Sequence, residues 1–295
     1  MDRRSFMMHS AGALAAWTVM PKNAYGMGQP LMKKSLKYGM IKEDISILEK
    51  FRLVKSLGFD GIELDSPNEL PENEVLEAKA QTGLEIPGVV NSLHWKHPLS
   101  HPDLVERSVC TQSMIDALHQ CKKYGGSTVL LVPAVVDQSV RYDEAWDRST
   151  AEIKKMLPAA KKTGIKIAIE NVWNNFLLSP LEASRYIDQF ESDMVGWYFD
   201  VGNVVRFGWP DQWIRILGHR ILKIDVKEYS RKKQQEEGIW KGFEVKLGDG
   251  DSDWTRVNQA LKEIGYSGWG SAEVPGGDRQ RLQEISERMD RIFKL

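Results

Sequence analysis

Four short, largely apolar runs in this chain end abruptly in a carboxylate. Ile167-Ala168-Ile169 stops at Glu170, Trp197-Tyr198-Phe199 at Asp200, Ile221-Leu222-Lys223-Ile224 at Asp225, and Gly270-Ser271-Ala272 at Glu273. Bounded apolar runs of this length read as buried strands. Carboxylates brought to a common mouth repel one another and resist burial, so they call for a cation, and a divalent metal is the natural one. Taken singly, each could equally cap the helix that follows or pair with a loop Lys or Arg. Recurrence at four strand ends favours the metal.

The elements that would hold these residues repeat along the chain. Leu53 to Gly58, Cys121 to Gly125, Ala160 to Gly164 and Ala260 to Gly265 each carry an apolar helix end, lysine and a glycine stop ahead of a short strand. Glycine accepts the left-handed backbone that ends a helix, and lysine complements the carboxyl end of the helix dipole. Strands are expected near 37–41, 61–64, 86–90, 128–132, 166–170, 195–200, 221–226 and 269–274. Helices fit near 45–57, 73–82, 103–124, 144–163, 180–189, 211–217, 254–264 and 279–293. Eight alternating units in about 260 residues predict an α/β fold, a single (β/α)8 TIM barrel with a parallel sheet. A doubly wound open sheet is the rival, but no glycine-rich dinucleotide fingerprint follows any strand. In a barrel, chemistry sits at the carboxyl ends of strands. Those ends carry Glu63, Asp65, Asn91, Glu170, Asn171, Asp200, Asp225, Lys227 and Glu273.

The 295 residues are 42% hydrophobic and 27% charged, with a formal net charge of −1. That composition excludes disordered and collagenous chains, and the charge gives no basic excess for nucleic acid. Cys110 and Cys121 are too few for a disulfide framework, lack zinc-site spacing, and read as core. No apolar run reaches the roughly 20 residues that cross a bilayer, so no stable membrane insertion is expected. At the amino terminus, Arg3-Arg4 precede a short apolar stretch, Ala11 to Val19, and Ala24-Tyr25-Gly26 offers small residues at the positions a signal peptidase reads. This resembles a twin-arginine export signal; the alternative is a basic terminal helix. The expected organisation is a signal over 1–26 and a barrel over 27–295, with a periplasmic or otherwise exported product. Outside the cytoplasm, free sugars and glycosides are more plausible substrates than phosphorylated ones.

Glu170-Asn171, Asp200-Val201-Gly202-Asn203, Asp225-Val226-Lys227-Glu228 and Glu273-Val274, with His94-Trp95, Gly248-Asp249-Gly250 and Asp253-Trp254, resemble the signatures of the sugar isomerase and epimerase family with the xylose-isomerase-like barrel. Hydroxypyruvate isomerases and ketose 3-epimerases belong to that family. The resemblance implies one divalent metal, Mn or Mg, held by Glu170, Asp200, Asp225 and Glu273, with Glu170 and Glu273 also serving as the acid/base pair. It implies an isomerase or epimerase working through an enediolate, and a homo-dimer or tetramer.

The departure lies at strand seven, where the family usually has histidine and this chain has Asp225, with Lys223 two residues earlier. An all-oxygen set favours a hard ion such as Mn, Mg or Ca over zinc. Lys223 is read three ways: a counter-charge beneath Asp225, a catalytic group polarising a substrate oxygen, or an outward residue. His94, Trp95, Trp173, Asn203 and Arg231 are the expected substrate-binding residues, and the charged run 231–237 reads as a lid or a solvated loop. Two alternatives use the same site: a lyase eliminating the aglycone from a 3-keto-glycoside, and a non-catalytic sugar-binding protein. A multi-zinc DNA-repair endonuclease on the same fold would need more histidines at the strand ends and a basic surface.

Overall fold

The computed structural model describes residues 32–295, and the expected export signal lies outside the described residues. Strands and helices alternate: β1 (Met32–Lys37), α1 (Ile47–Ser56), β2 (Gly61–Ser66), α2 (Glu72–Thr82), β3 (Gly88–Asn91), α3 (Leu104–Tyr124), β4 (Thr128–Leu131), α4 (Tyr142–Thr163), β5 (Lys166–Glu170), α5 (Pro180–Asp188), β6 (Val195–Asp200), α6 (Val201–Val205), α7 (Pro210–Leu217), β7 (Ile221–Val226), α8 (Arg231–Glu237), α9 (Trp254–Glu263), β8 (Gly268–Ala272) and α10 (Arg279–Ile292). Sequential strands pair in parallel and β8 closes on β1. The fold is the expected TIM barrel.

Local chemistry explains the element ends. The Ser46 hydroxyl accepts the Glu49 N–H while the Glu49 carboxylate takes the Ser46 N–H at 2.9 Å, a reciprocal cap that starts α1. Gly125 and Gly164 end α3 and α4 in left-handed backbone, φ 78° and 74°, where a Cβ would clash with the following carbonyl. Alternation along each strand splits the core in two. Ile167, Ile169, Trp197 and Phe199 pack against helix residues such as Leu118, Met156 and Ile214, whereas Leu130, Ala168 and Tyr198 form a small cluster inside the barrel.

Three departures from the sequence reading bear on the site. The first strand is Met32–Lys37, not 37–41, and Tyr38–Met40 is a 3-10 turn. Its three lysines disguise it, yet each finds an anion: Lys33 meets Glu85, Lys34 meets Asp290 of α10, and Lys37 points into the barrel. Two short helices, α6 and α8, occupy segments read as loops, and the charged run 231–237 is α8, capped by the Ser230 hydroxyl. The barrel interior is also polar where bulky branched residues are usual. Lys223, Glu63 and Tyr198 meet there, with the Lys223 ammonium 2.7 Å from Glu63 and the Tyr198 hydroxyl donating to Glu63 at 2.8 Å.

Candidate active site

β5, β6, β7 and β8 bring Glu170, Asp200, Asp225 and Glu273 together at one end of the barrel. One carboxylate oxygen from each lies within 4.8 Å of the others. The first three are buried, while the Glu273 side chain keeps 38% of its surface open toward solvent. Asn171 fixes Asp200: its amide N–H donates to the Asp200 carbonyl at 2.8 Å and its side-chain oxygen accepts the Asp200 N–H at 3.0 Å. Asp200 also caps α6, accepting the Asn203 N–H on Oδ1 at 2.8 Å and leaving Oδ2 turned into the cluster. Both readings of this carboxylate, helix cap and cluster member, therefore hold at once.

Two ammonium groups border the cluster. Lys227 lies 2.8 Å from Asp200 and 3.0 Å from Glu273, and Lys37 lies 2.9 Å from Asp225 and 2.7 Å from Glu63. The contacts to Asp200, Asp225 and Glu273 are at ion-pair distance but outside hydrogen-bond alignment, so these oxygens, and Asp225 Oδ2 with them, have no hydrogen-bond donor among the described residues. With Glu63 and Lys223 forming a neutral pair, four carboxylates face two ammonium groups, and one divalent cation balances the remainder. The donor set is all oxygen and its orphaned atoms converge, so the residues fit a hard divalent ion.

The electrostatics follow. Burial and the charges of Glu273, Asp225 and Asp200 push the Glu170 carboxyl well above the usual carboxylate range. Burial likewise raises Asp225 well above that range, against the pull of Lys37, and lifts Asp200 to about 6 against the pull of Lys227. Desolvation works the same way at Glu273, but Lys227 and Lys37 outweigh it and hold that carboxyl at about 2. A cation among the four would favour the ionised form of all of them.

A cavity of about 440 Å³ opens above the cluster. Glu170 and Glu273 line it, as do His94, Trp95, Trp173 and Asn203 from the expected substrate-binding set. Burial lowers the His94 pKa to about 4, and its Nδ1 accepts the Val132 N–H at 3.3 Å, which leaves the ring neutral with its proton on Nε2. Two expected residues are not brought in. Arg231 donates to the Val205 and Gly208 carbonyls at 3.0 and 2.7 Å and stacks on Trp209, bracing the loop after α6. Lys223 shares a strand face with Asp225 but sits a layer deeper, where Glu63 takes it; the counter-charge to Asp225 is Lys37. Lys37 and Lys227 are thus the groups to which the sequence reading gave no role. Lys227 stands just past the end of β7, a position the sequence shows, whereas Lys37 ends β1, the strand that its lysines disguise.

The match to the family model described as xylose isomerase-like TIM barrel spans residues 51–295. The chain belongs to this family. Among curated relatives of the xylose isomerase-like barrel described here is the L-ribulose-5-phosphate 3-epimerase of Salmonella typhimurium, 25% identical over 235 residues, covering 75% of this chain and 79% of the relative. Among solved structures, a 3-keto-D-glucoside 4-epimerase from E. coli superposes with a TM-score of 0.74 at 17% identity, covering 90% of this chain and 100% of that one. The IolI protein with a bound zinc atom superposes at 0.75 and 18% identity, covering 89% and 98%. These likenesses establish the shared barrel. The family match begins after β1, so Lys37 lies outside it.

Proposed function

We propose that this protein is a divalent-metal-dependent isomerase or epimerase that acts on an unphosphorylated keto-sugar or keto-glycoside by proton transfer next to a carbonyl. The observation that carries the reading is the placement of Glu170 and Glu273, from strands three apart, on one cavity whose floor is a carboxylate cluster short of a cation. The curated epimerase relatives support the same class.

A divalent ion held by Glu170, Asp200, Asp225 and Glu273 would supply Lewis acidity toward a substrate carbonyl and its neighbouring hydroxyl. The chain's own residues do the rest. One glutamate takes the proton from the carbon next to the carbonyl, the C–H bonding pair becomes the C=C bond of an enediolate as the carbonyl π pair moves onto oxygen, and the other glutamate returns a proton. Return to the opposite face of the same carbon gives an epimer, and return to the adjacent carbon gives an isomer. The neutral His94 presents its Nε2–H as a donor for a sugar oxygen, while Trp95 and Trp173 add aromatic surface to the lining. Lys37 and Lys227 are the cationic residues lining this cavity, and both are ion-paired with carboxylates, leaving no free cationic cradle there for a phosphate among the described residues. Export by the twin-arginine route, proposed from residues 2–26, agrees with an unphosphorylated substrate.

The test is incubation of metal-loaded protein with keto-sugars and keto-glycosides in D2O, read by NMR. Deuterium should enter next to the carbonyl. A metal-free protein that binds sugar with undiminished affinity and exchanges nothing would instead make it a binding protein.

A further inference from the structure

A second cavity of about 320 Å³ adjoins the first, and the two share Val172, Trp173, Asn203 and Trp240. Beyond the shared wall the second cavity is bounded by Leu177, Leu178, Val204, Phe207 and Trp213, with Arg206 at its side. Apart from Arg206, the side-chain amides in its lining are already committed. Asn171 holds Asp200, the Asn203 amide donates to the Asn171 carbonyl at 3.0 Å, and the Asn175 amide donates to the Val136 carbonyl at 3.0 Å. A second sugar ring would therefore lose water from its hydroxyls and find few partners, and each hydroxyl left unsatisfied weakens binding. A flat aromatic ring loses nothing and gains ring faces.

The rim carries the same preference. Phe207, Leu178 and Trp240 are each more than half exposed, at 58%, 58% and 67%, and all line this one cavity, where isolated exposure would be unremarkable but grouped exposure marks a binding surface. The Arg206 guanidinium lies 4.7 Å from the Trp173 ring and 4.8 Å from the Phe207 ring, and pairs with no carboxylate among the described residues. It holds the two rings in place and leaves N–H donors for a ring substituent. The wall is also preformed: Asn175 and Leu177 adopt left-handed backbone at φ 58° and 56°, a conformation costly for a non-glycine residue, and the Leu177 N–H is held by the Tyr142 hydroxyl at 2.9 Å.

We infer that the second cavity is an aglycone site, and that the substrate class is aryl glycosides whose sugar occupies the carboxylate cavity while the aromatic aglycone crosses over the Trp173–Trp240 pair, whose ring centroids are 5.1 Å apart, into the adjoining one. This deepens the proposed function and rests on it for the placement of the sugar. Calorimetric titration of the metal-loaded protein with a phenyl and a methyl β-glycoside of the same sugar isolates the aglycone's contribution. Phenyl binding should be at least about tenfold tighter, and Phe207→Ala and Leu178→Ser, both at exposed positions that do not support the core, should each shrink that ratio by about threefold or more. Equal affinities for the two glycosides, or a ratio unchanged in both variants, would overturn the inference. The same glycosides oxidised at C3 and followed in D2O separate this result from the proton-transfer reading: exchange without phenyl preference leaves only that reading, and phenyl-selective binding without exchange leaves only the aglycone site.

Discussion

Lys227 stands 2.8 and 3.0 Å from two of the four carboxylates that fit a divalent ion, so ammonium and metal compete for the same oxygens. Removing the ammonium in Lys227→Met should tighten Mn2+ binding by about tenfold, or roughly 1.4 kcal/mol, in a calorimetric titration. Weaker binding would instead mark Lys227 as the group that positions Asp200 and Glu273. Glu273→Gln keeps the shape of the side chain and removes its basicity, and should abolish deuterium incorporation while leaving the far-UV circular dichroism unchanged. Exchange at the wild-type rate would remove Glu273 from the acid/base pair. The residue types at this site were readable because apolar strands ended in carboxylates. Which cation faced which carboxylate was not, because Lys37 and Asp225 are far apart in sequence and adjacent only once β1 and β7 take their places in the closed barrel.

At the scale of elements, β2, β6 and β7 share a polar interior. Lys223 of β7 and Glu63 of β2 are both about 1% exposed in their side chains, and removing one partner of a buried pair leaves an uncompensated charge. Lys223→Met should destabilise the protein by about 3 kcal/mol in urea unfolding, the low end of the usual range since Lys37 and Tyr198 still reach Glu63. Gly88 of β3 leaves the room this lysine needs, since a Cβ there would lie 2.5 Å from the Lys223 ammonium and 2.7 Å from the Thr128 carbonyl oxygen. Gly88→Ala should cost about 1–3 kcal/mol by the same measurement, and a neutral result would mean that the interior yields more easily than its packing implies. The helix–glycine–strand repeat predicted most of the elements, because helix caps and apolar periodicity act over a few residues. β1 escaped because its lysines are neutralised by Glu85, Asp290, Glu63 and Asp225, partners supplied by other parts of the chain.

For the whole molecule, the buried neutral His94 ties stability to pH. Its pKa falls from the usual 6.5 to about 4 in the folded protein, so between these values the unfolded chain binds the extra proton. Stability from this group is complete above about pH 6.5 and is lost as pH falls toward 4, by up to about 3 kcal/mol at 1.4 kcal/mol per pH unit. His94→Asn should flatten the urea midpoint across that window relative to the parent, and parallel curves would show that other groups set the acid limit. The amino-acid sequence alone determined the barrel, most of its alternating strands and helices, and the four carboxylates, since periodicity, caps and strand-end residues are local properties of the chain. Tertiary structure alone decided that Lys37 rather than Lys223 answers Asp225, that Arg231 braces a loop instead of facing the cavity, and that an aromatic chamber opens beside it. Each of these depends on how deep a side chain lies in a closed barrel and which distant strand or loop stands opposite, and ring closure sets both.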